Sequence, residues 1–184
     1  MDDLKESPSQ TAGPYVHIGC VPSAAGLQGM YGGFDPGARM ITGTPTGESL
    51  RLTMVIFDGA EEAVTDAMVE IWQAGPDGQY GTTGGFTAWG RQATDTTTGE
   101  VVFETLKPGA AAGQAPHIFV WIVARGINMG LQTRVYFPDE DNTHDPVYLL
   151  ARERAATLVA QRDVDGYRHV IHLQGDKETV FFDV

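Results

Sequence analysis

The chain has 184 residues, 42% of them hydrophobic, enough for one domain that buries roughly 70% of its unfolded surface. Twelve Lys and Arg stand against 24 Asp and Glu, and the net charge of −12 argues against nucleic acid and anionic membrane surfaces as partners. Cys20 is the only cysteine, which excludes an intrachain disulfide and a thiolate metal cluster and fits a reducing cytoplasm.

The N-terminal MDDLKESPSQ is acidic where a signal peptide is basic, and no apolar run follows it, so a cytoplasmic location is expected. No uncharged apolar run reaches the ~20 residues needed to cross a bilayer. Residues 1–48 are rich in Gly and Pro and have neither a helical nor an alternating period, so they read as an extended arm. Within the arm, Gly13-Pro14 is a turn signal, and the alternating residues through Ile18 suit either a first edge strand or a functional contact.

From Ser49 the texture changes to short strands between turn residues, a β-sandwich core of mostly antiparallel strands over residues 49–184. SLRLTMVIF and AMVEIWQA are predicted strands, ended by turns at Asp58-Gly59 and Pro76-Asp77-Gly78. GEVVFETL follows and stops at Lys107-Pro108-Gly109. His117 to Val123, nearly all β-branched or aromatic, suits a strand covered on both faces, and Gln132 to Phe137 resumes the pattern. Asp145 as a cap and Pro146 at the first helical position predict one helix through VYLLARERAATLVAQ. RDV and YRHVIHLQ form a hairpin about Asp165-Gly166, and TVFFDV reads as the closing strand. The fold class is all-β, with one or two short helices.

His117 and Tyr80 are candidate metal ligands, since imidazole and phenolate together suit a ferric ion, and a hydrogen-bonded core histidine with a turn tyrosine is the other reading. A strand presents positions two apart on one face, but the partner position to His117 is Phe119, which has no lone pair. His169 and His172 are three apart, so in a strand they face opposite sides and take structural or surface roles. Asp139, Glu140, Asp141, His144 and Asp145 form an acidic loop without calcium-loop spacing, expected to be solvated. Arg125, at the mouth of a strand, pairs with a local acid or faces an anionic ligand. There is no nucleophile elbow, Cys-His pair or Gly-rich phosphate loop.

PSQTAGPYVHIG, VEIWQAGPDGQY, TLKPG, APHIFVWIVARGIN, TRVYF and GDKETVFFDV together resemble the intradiol ring-cleaving dioxygenases over most of the chain apart from Cys20 to Gly47. In that family the iron-bearing chain supplies two tyrosines and two histidines to a non-haem ferric ion. Tyr80 and His117 match one of each; the second tyrosine falls at Ala110 to Ala112 and the second histidine at Phe119. The resemblance therefore implies an iron-free chain in which Tyr80 and His117 are vestigial. It also implies a homologous iron-bearing beta chain, holding Fe(3+) in a multi-copy alpha-beta assembly. Thr11, Gly13, Pro14 and Arg125 would line the active-site entrance and bind substrate, and the implied reaction joins O2 to 3,4-dihydroxybenzoate to give 3-carboxy-cis,cis-muconate. A stand-alone binding module is the alternative. A further one is a self-sufficient dioxygenase drawing ligands from Tyr31, His144 or His169.

Overall fold

Residues 10–183 are described by a computed structural model. The first nine residues of the predicted arm, and Val184 at the end of the predicted closing strand, lie outside the described residues. Two four-stranded sheets face each other. In the first, β1 (Ser49–Phe57) is flanked by antiparallel β4 (Glu100–Leu106) and parallel β8 (Gly166–His172), with β7 (Gln161–Asp163) at the edge. In the second, β2 (Met68–Gln73) lies between β3 (Trp89–Ala93) and β5 (His117–Val123), and β6 (Leu131–Tyr136) closes the far side, all antiparallel.

Period-two alternation sets the core. Leu50, Leu52, Met54 and Ile56 of β1 meet Val69 and Ile71 of β2 and Ile118, Val120 and Ile122 of β5, all buried. Each such side chain contributes about 2 kcal/mol through burial. The opposite face of β5 is covered only in part, since Phe119 and Trp121 remain half-buried. A buried Gln73 links the sheets: its amide donates to Leu106 O at 2.7 Å, and Thr105 Oγ1 donates to its Oε1 at 2.8 Å.

Several elements depart from the sequence pattern. The segment from Pro14 is helix α1 (Pro14–Cys20) rather than a strand, because Pro14 takes the first helical position after the extended Gly13, and a 3-10 turn (Pro22–Ala25) follows. β3 was hidden by Gly90 and its polar neighbours; Gly90 faces inward, where a Cβ would press on Met40 and Phe103. Asp145 caps α2 (Pro146–Leu150) as expected, accepting from Val147 N at 2.7 Å and Tyr148 N at 3.1 Å. The helix breaks at Arg152, whose φ is +50°, and continues as a 3-10 helix, with Ala151 and Leu158 both packed on Tyr136.

In the last hairpin Asp163 pairs with Gly166, so Val164 and Asp165 form the turn and Gly166 opens β8; a Cβ there would collide with the Arg51 carbonyl. The described part of TVFFDV, residues 179–183, does not join a sheet. It runs as a strap from the first sheet to the second, with Thr179 N bonded to His172 O, Val180 O accepting from Thr133, and Phe182 N bonded to Gln132 O.

The acidic loop is more than solvated. Asp139 accepts from Lys107 Nζ (2.6 Å), Arg162 Nη2 (2.7 Å) and Tyr167 OH (2.9 Å), and Lys107 also meets Glu140 at 2.7 Å. Burial opposes the Asp139 charge, but hydrogen bonds from Lys107 and Tyr167 outweigh it and hold its pKa at about 2. Asp139→Asn should cost about 2 kcal/mol in urea unfolding, because Lys107 and Arg162 lose their shared counter-charge and one of the two acceptor oxygens becomes an amide donor. An unchanged midpoint would mean that the cluster is solvated after all.

Candidate functional site

The arm helix α1 lies on the outer face of the second sheet, where Val16, Cys20 and Val21 pack against Met68, Val123 and Trp121. Thr11 fastens the chain just before it. Its hydroxyl donates to Ala124 O at 3.2 Å and accepts from Gly126 N at 2.7 Å, so the arm is tied to the segment that carries Arg125. A cleft of about 630 Å³ opens between them. Gly13, Pro14 and His17 line the arm side, and Asp66, Thr94 and Arg125 the sheet side.

Of the four residues expected at an entrance, Gly13, Pro14 and Arg125 border this cleft, while Thr11 stands behind it as the fastening. The Arg125 side chain is 82% exposed, with Nε 3.3 Å from Asp66 Oδ2. The local sequence leaves Arg125 unpaired, but the fold supplies a partner. Met68 pairs with Val123 across β2 and β5, and continuing that antiparallel register by two residues sets Asp66 opposite Arg125. Such an exposed pair is worth only about 0–1 kcal/mol, so the guanidinium can turn to a better anion at small cost. Asp66 and His17 were not legible as site residues, since nothing local marks either. His17 Nε2 is buried without a hydrogen-bond partner among the described residues.

The expected metal-ligand positions take a different form. Tyr80 is half exposed and stacks on Trp72 with ring centroids 6.4 Å apart. His117 is buried, its Nδ1 2.8 Å from the Ala115 carbonyl. Burial lowers its pKa first and the charge of Arg134 lowers it further, against the opposing Ala115 contact. After Lys107-Pro108-Gly109, Ala111 bridges to Gln114 around Ala112 (φ +51°) and Gly113 (φ +77°), a tight turn with only methyl side chains to offer. Phe119 stands opposite Arg134 on β6.

Among the described residues no three His, Cys, Asp or Glu side chains are grouped to hold a metal ion. Tyr31 donates to Gly19 O in the arm, His144 sits on the exposed acidic loop, and His169 is buried in β8. A phenylalanine, a turn of alanines and a nearby arginine do not make a ferric site, so the donor set in this chain does not fit the family's iron. What the arm cleft offers instead is an exposed cation beside small residues, with Asp66 and His17 in its walls.

Full-length relatives of the chain are found among known proteins. The chain is 43% identical to a protocatechuate 3,4-dioxygenase alpha chain of Pseudomonas putida, covering 98% of this chain and 97% of that one. It is 41% identical to a protocatechuate 3,4-dioxygenase alpha chain of Burkholderia cepacia, covering all of both. No family model matches. Among solved structures, an intradiol ring-cleavage dioxygenase from Tetranychus urticae superposes with a TM-score of 0.60 at 20% identity, over 73% of this chain and 83% of that one. The dioxygenase domain of a carbohydrate-binding fusion from Streptomyces gives 0.56 at 23% identity, over 90% and 96%. At these identities the structural likeness concerns the fold.

Proposed function

The chain belongs to the protocatechuate 3,4-dioxygenase alpha-chain family of the intradiol ring-cleaving dioxygenases, and on that premise we propose that its arm cleft is one lip of an active site completed by an iron-bearing beta chain. The assembled enzyme inserts both atoms of O2 between the hydroxylated carbons of 3,4-dihydroxybenzoate, giving 3-carboxy-cis,cis-muconate. A ferric ion held by the beta chain would supply the activation of the catecholate. This chain contributes Arg125, whose guanidinium receives the substrate carboxylate and so orients the ring from its far end.

The observation that carries this reading is Arg125 itself: a cation 82% exposed at the rim of a cleft, held by one exposed carboxylate and flanked by Gly13 and Pro14, whose slight bulk leaves the approach open. Thr11 acts as a positioning residue through its two bonds to the Arg125 segment. Tyr15, Leu27, Met30, Tyr31 and Phe34, all exposed on the arm, supply an apolar surface for the beta chain to cover. A cytoplasmic location is part of the same proposal, resting on the lone Cys20.

The test is the iron content of this chain purified alone and together with a beta chain. Expressed alone it should carry essentially no iron and no colour, and in the complex iron should track the beta chain. One iron per isolated chain, with a red-brown tyrosinate band, would overturn the assignment and make the chain an enzyme in its own right.

A further inference from the structure

We propose that Asp66 is a specificity-determining residue of the arm cleft, a resident counter-ion that occupies Arg125 until a carboxylate anchored on an aromatic ring displaces it. The inference rests on the reading that Arg125 receives the substrate carboxylate. Among the described residues Asp66 is the one carboxylate lining the cleft. Asp95 lies beside the lining residues Thr94 and Thr96, but its Oδ1 is taken up by its own turn, accepting from Thr97 N at 2.9 Å and Thr98 N at 2.8 Å.

Both members of the pair stand on fastened backbone. Asp66 directly precedes Ala67, whose N donates to Thr94 Oγ1 at 3.0 Å and whose O accepts from Thr94 N at 2.9 Å. Arg125 lies between Ala124 and Gly126, both bonded to the Thr11 hydroxyl. The side chains themselves are loose, with 40% of Asp66 and 82% of Arg125 exposed. A carboxylate tethered in this way competes at an effective concentration in roughly the millimolar range or above, and it cannot diffuse away. It weakens every anion at Arg125 by the same factor. A free inorganic anion has only the guanidinium to hold it, so that factor keeps it off. A carboxylate on a ring that is itself bound retains most of its affinity, because displacing an exposed ion pair costs little. A cationic substituent responds in the opposite sense: Asp66 attracts where Arg125 repels, so the pair reads the sign of the group at the far end of the ring.

Inhibition by sulfate and by 3,4-dihydroxybenzylamine, a cation at neutral pH, tests it, each measured against 3,4-dihydroxybenzoate in the assembled alpha-beta enzyme at constant ionic strength. In Asp66→Asn sulfate should inhibit about fivefold more tightly and the amine about fivefold more weakly, opposite shifts that a loosened fold does not produce. Asp66→Glu should return both toward the wild type. In Arg125→Ala sulfate inhibition should vanish and the amine should bind more tightly, because Asp66 is left without its cation. Unchanged inhibition constants in Asp66→Asn, or shifts in the same direction for both inhibitors, would overturn the proposal while leaving the arm-cleft reading intact. A KM for 3,4-dihydroxybenzoate that Arg125→Ala does not move would instead overturn the reading on which the proposal rests.

Discussion

Arg125→Ala in the assembled alpha-beta enzyme is expected to raise KM for 3,4-dihydroxybenzoate about 30-fold, with kcat and iron content close to the wild type. A guanidinium bonded to a carboxylate inside a closing interface is worth about 2 kcal/mol, and 1.4 kcal/mol is a factor of ten in affinity. The carboxylate is remote from the carbons that react, so the interaction holds ground state and transition state alike and its loss appears in KM. Catechol, which lacks the carboxylate, should be turned over equally by wild type and variant. Asp66→Asn should shift KM the other way, because it removes the acid that competes for Arg125 at 3.3 Å. Equal losses on both substrates, or a fall in iron content, would sink the assigned role and leave Arg125 a structural residue.

A second large effect is expected in the stability of the chain below neutral pH. His169 is fully buried in β8, its Nε2 has no hydrogen-bond partner among the described residues, and burial lowers its pKa to about 4 despite the contact with the Val159 backbone. In the unfolded chain the imidazole titrates near its ordinary ~6.5. Between those values the unfolded state binds the extra proton. Stability is therefore complete above pH 6.5 and falls as the pH drops toward 4, by about 3 kcal/mol over the whole window. Asp139, with its pKa at about 2 in the fold, loses its own contribution at lower pH and does not obscure this range. Urea unfolding at several pH values between 7.5 and 4 should show this slope in the wild type and a flatter one in His169→Leu. Parallel slopes would mean that the buried imidazole takes up its proton in the folded state.

Much of the framework was legible in the chain. β1, β2, β4, β5 and β6 announce themselves because each alternates or is uniformly apolar between Gly, Pro and Asp turns, and a side-chain period of two is a local property. The Asp145 cap was legible for the same reason: a short acid before proline satisfies the first free amides of a helix wherever it occurs. The misses share one cause. α1 hung on whether Pro14 opened a helix or a turn, β3 on an inward glycine that only Met40 and Phe103 explain, and TVFFDV on which sheet it would reach.

At the candidate site the division is sharper. The sequence alone determined that Phe119 and the Ala110 to Ala112 run have no donor side chain to offer a metal in any conformation. It also determined that Arg125 ends a strand. Only the tertiary structure decided that Asp66 faces it and that Thr11 bolts the arm beside it. Those contacts follow from strand register and from the path of the arm across the sheet, and both are set by the burial of two apolar faces against each other rather than by any neighbouring residues in the chain.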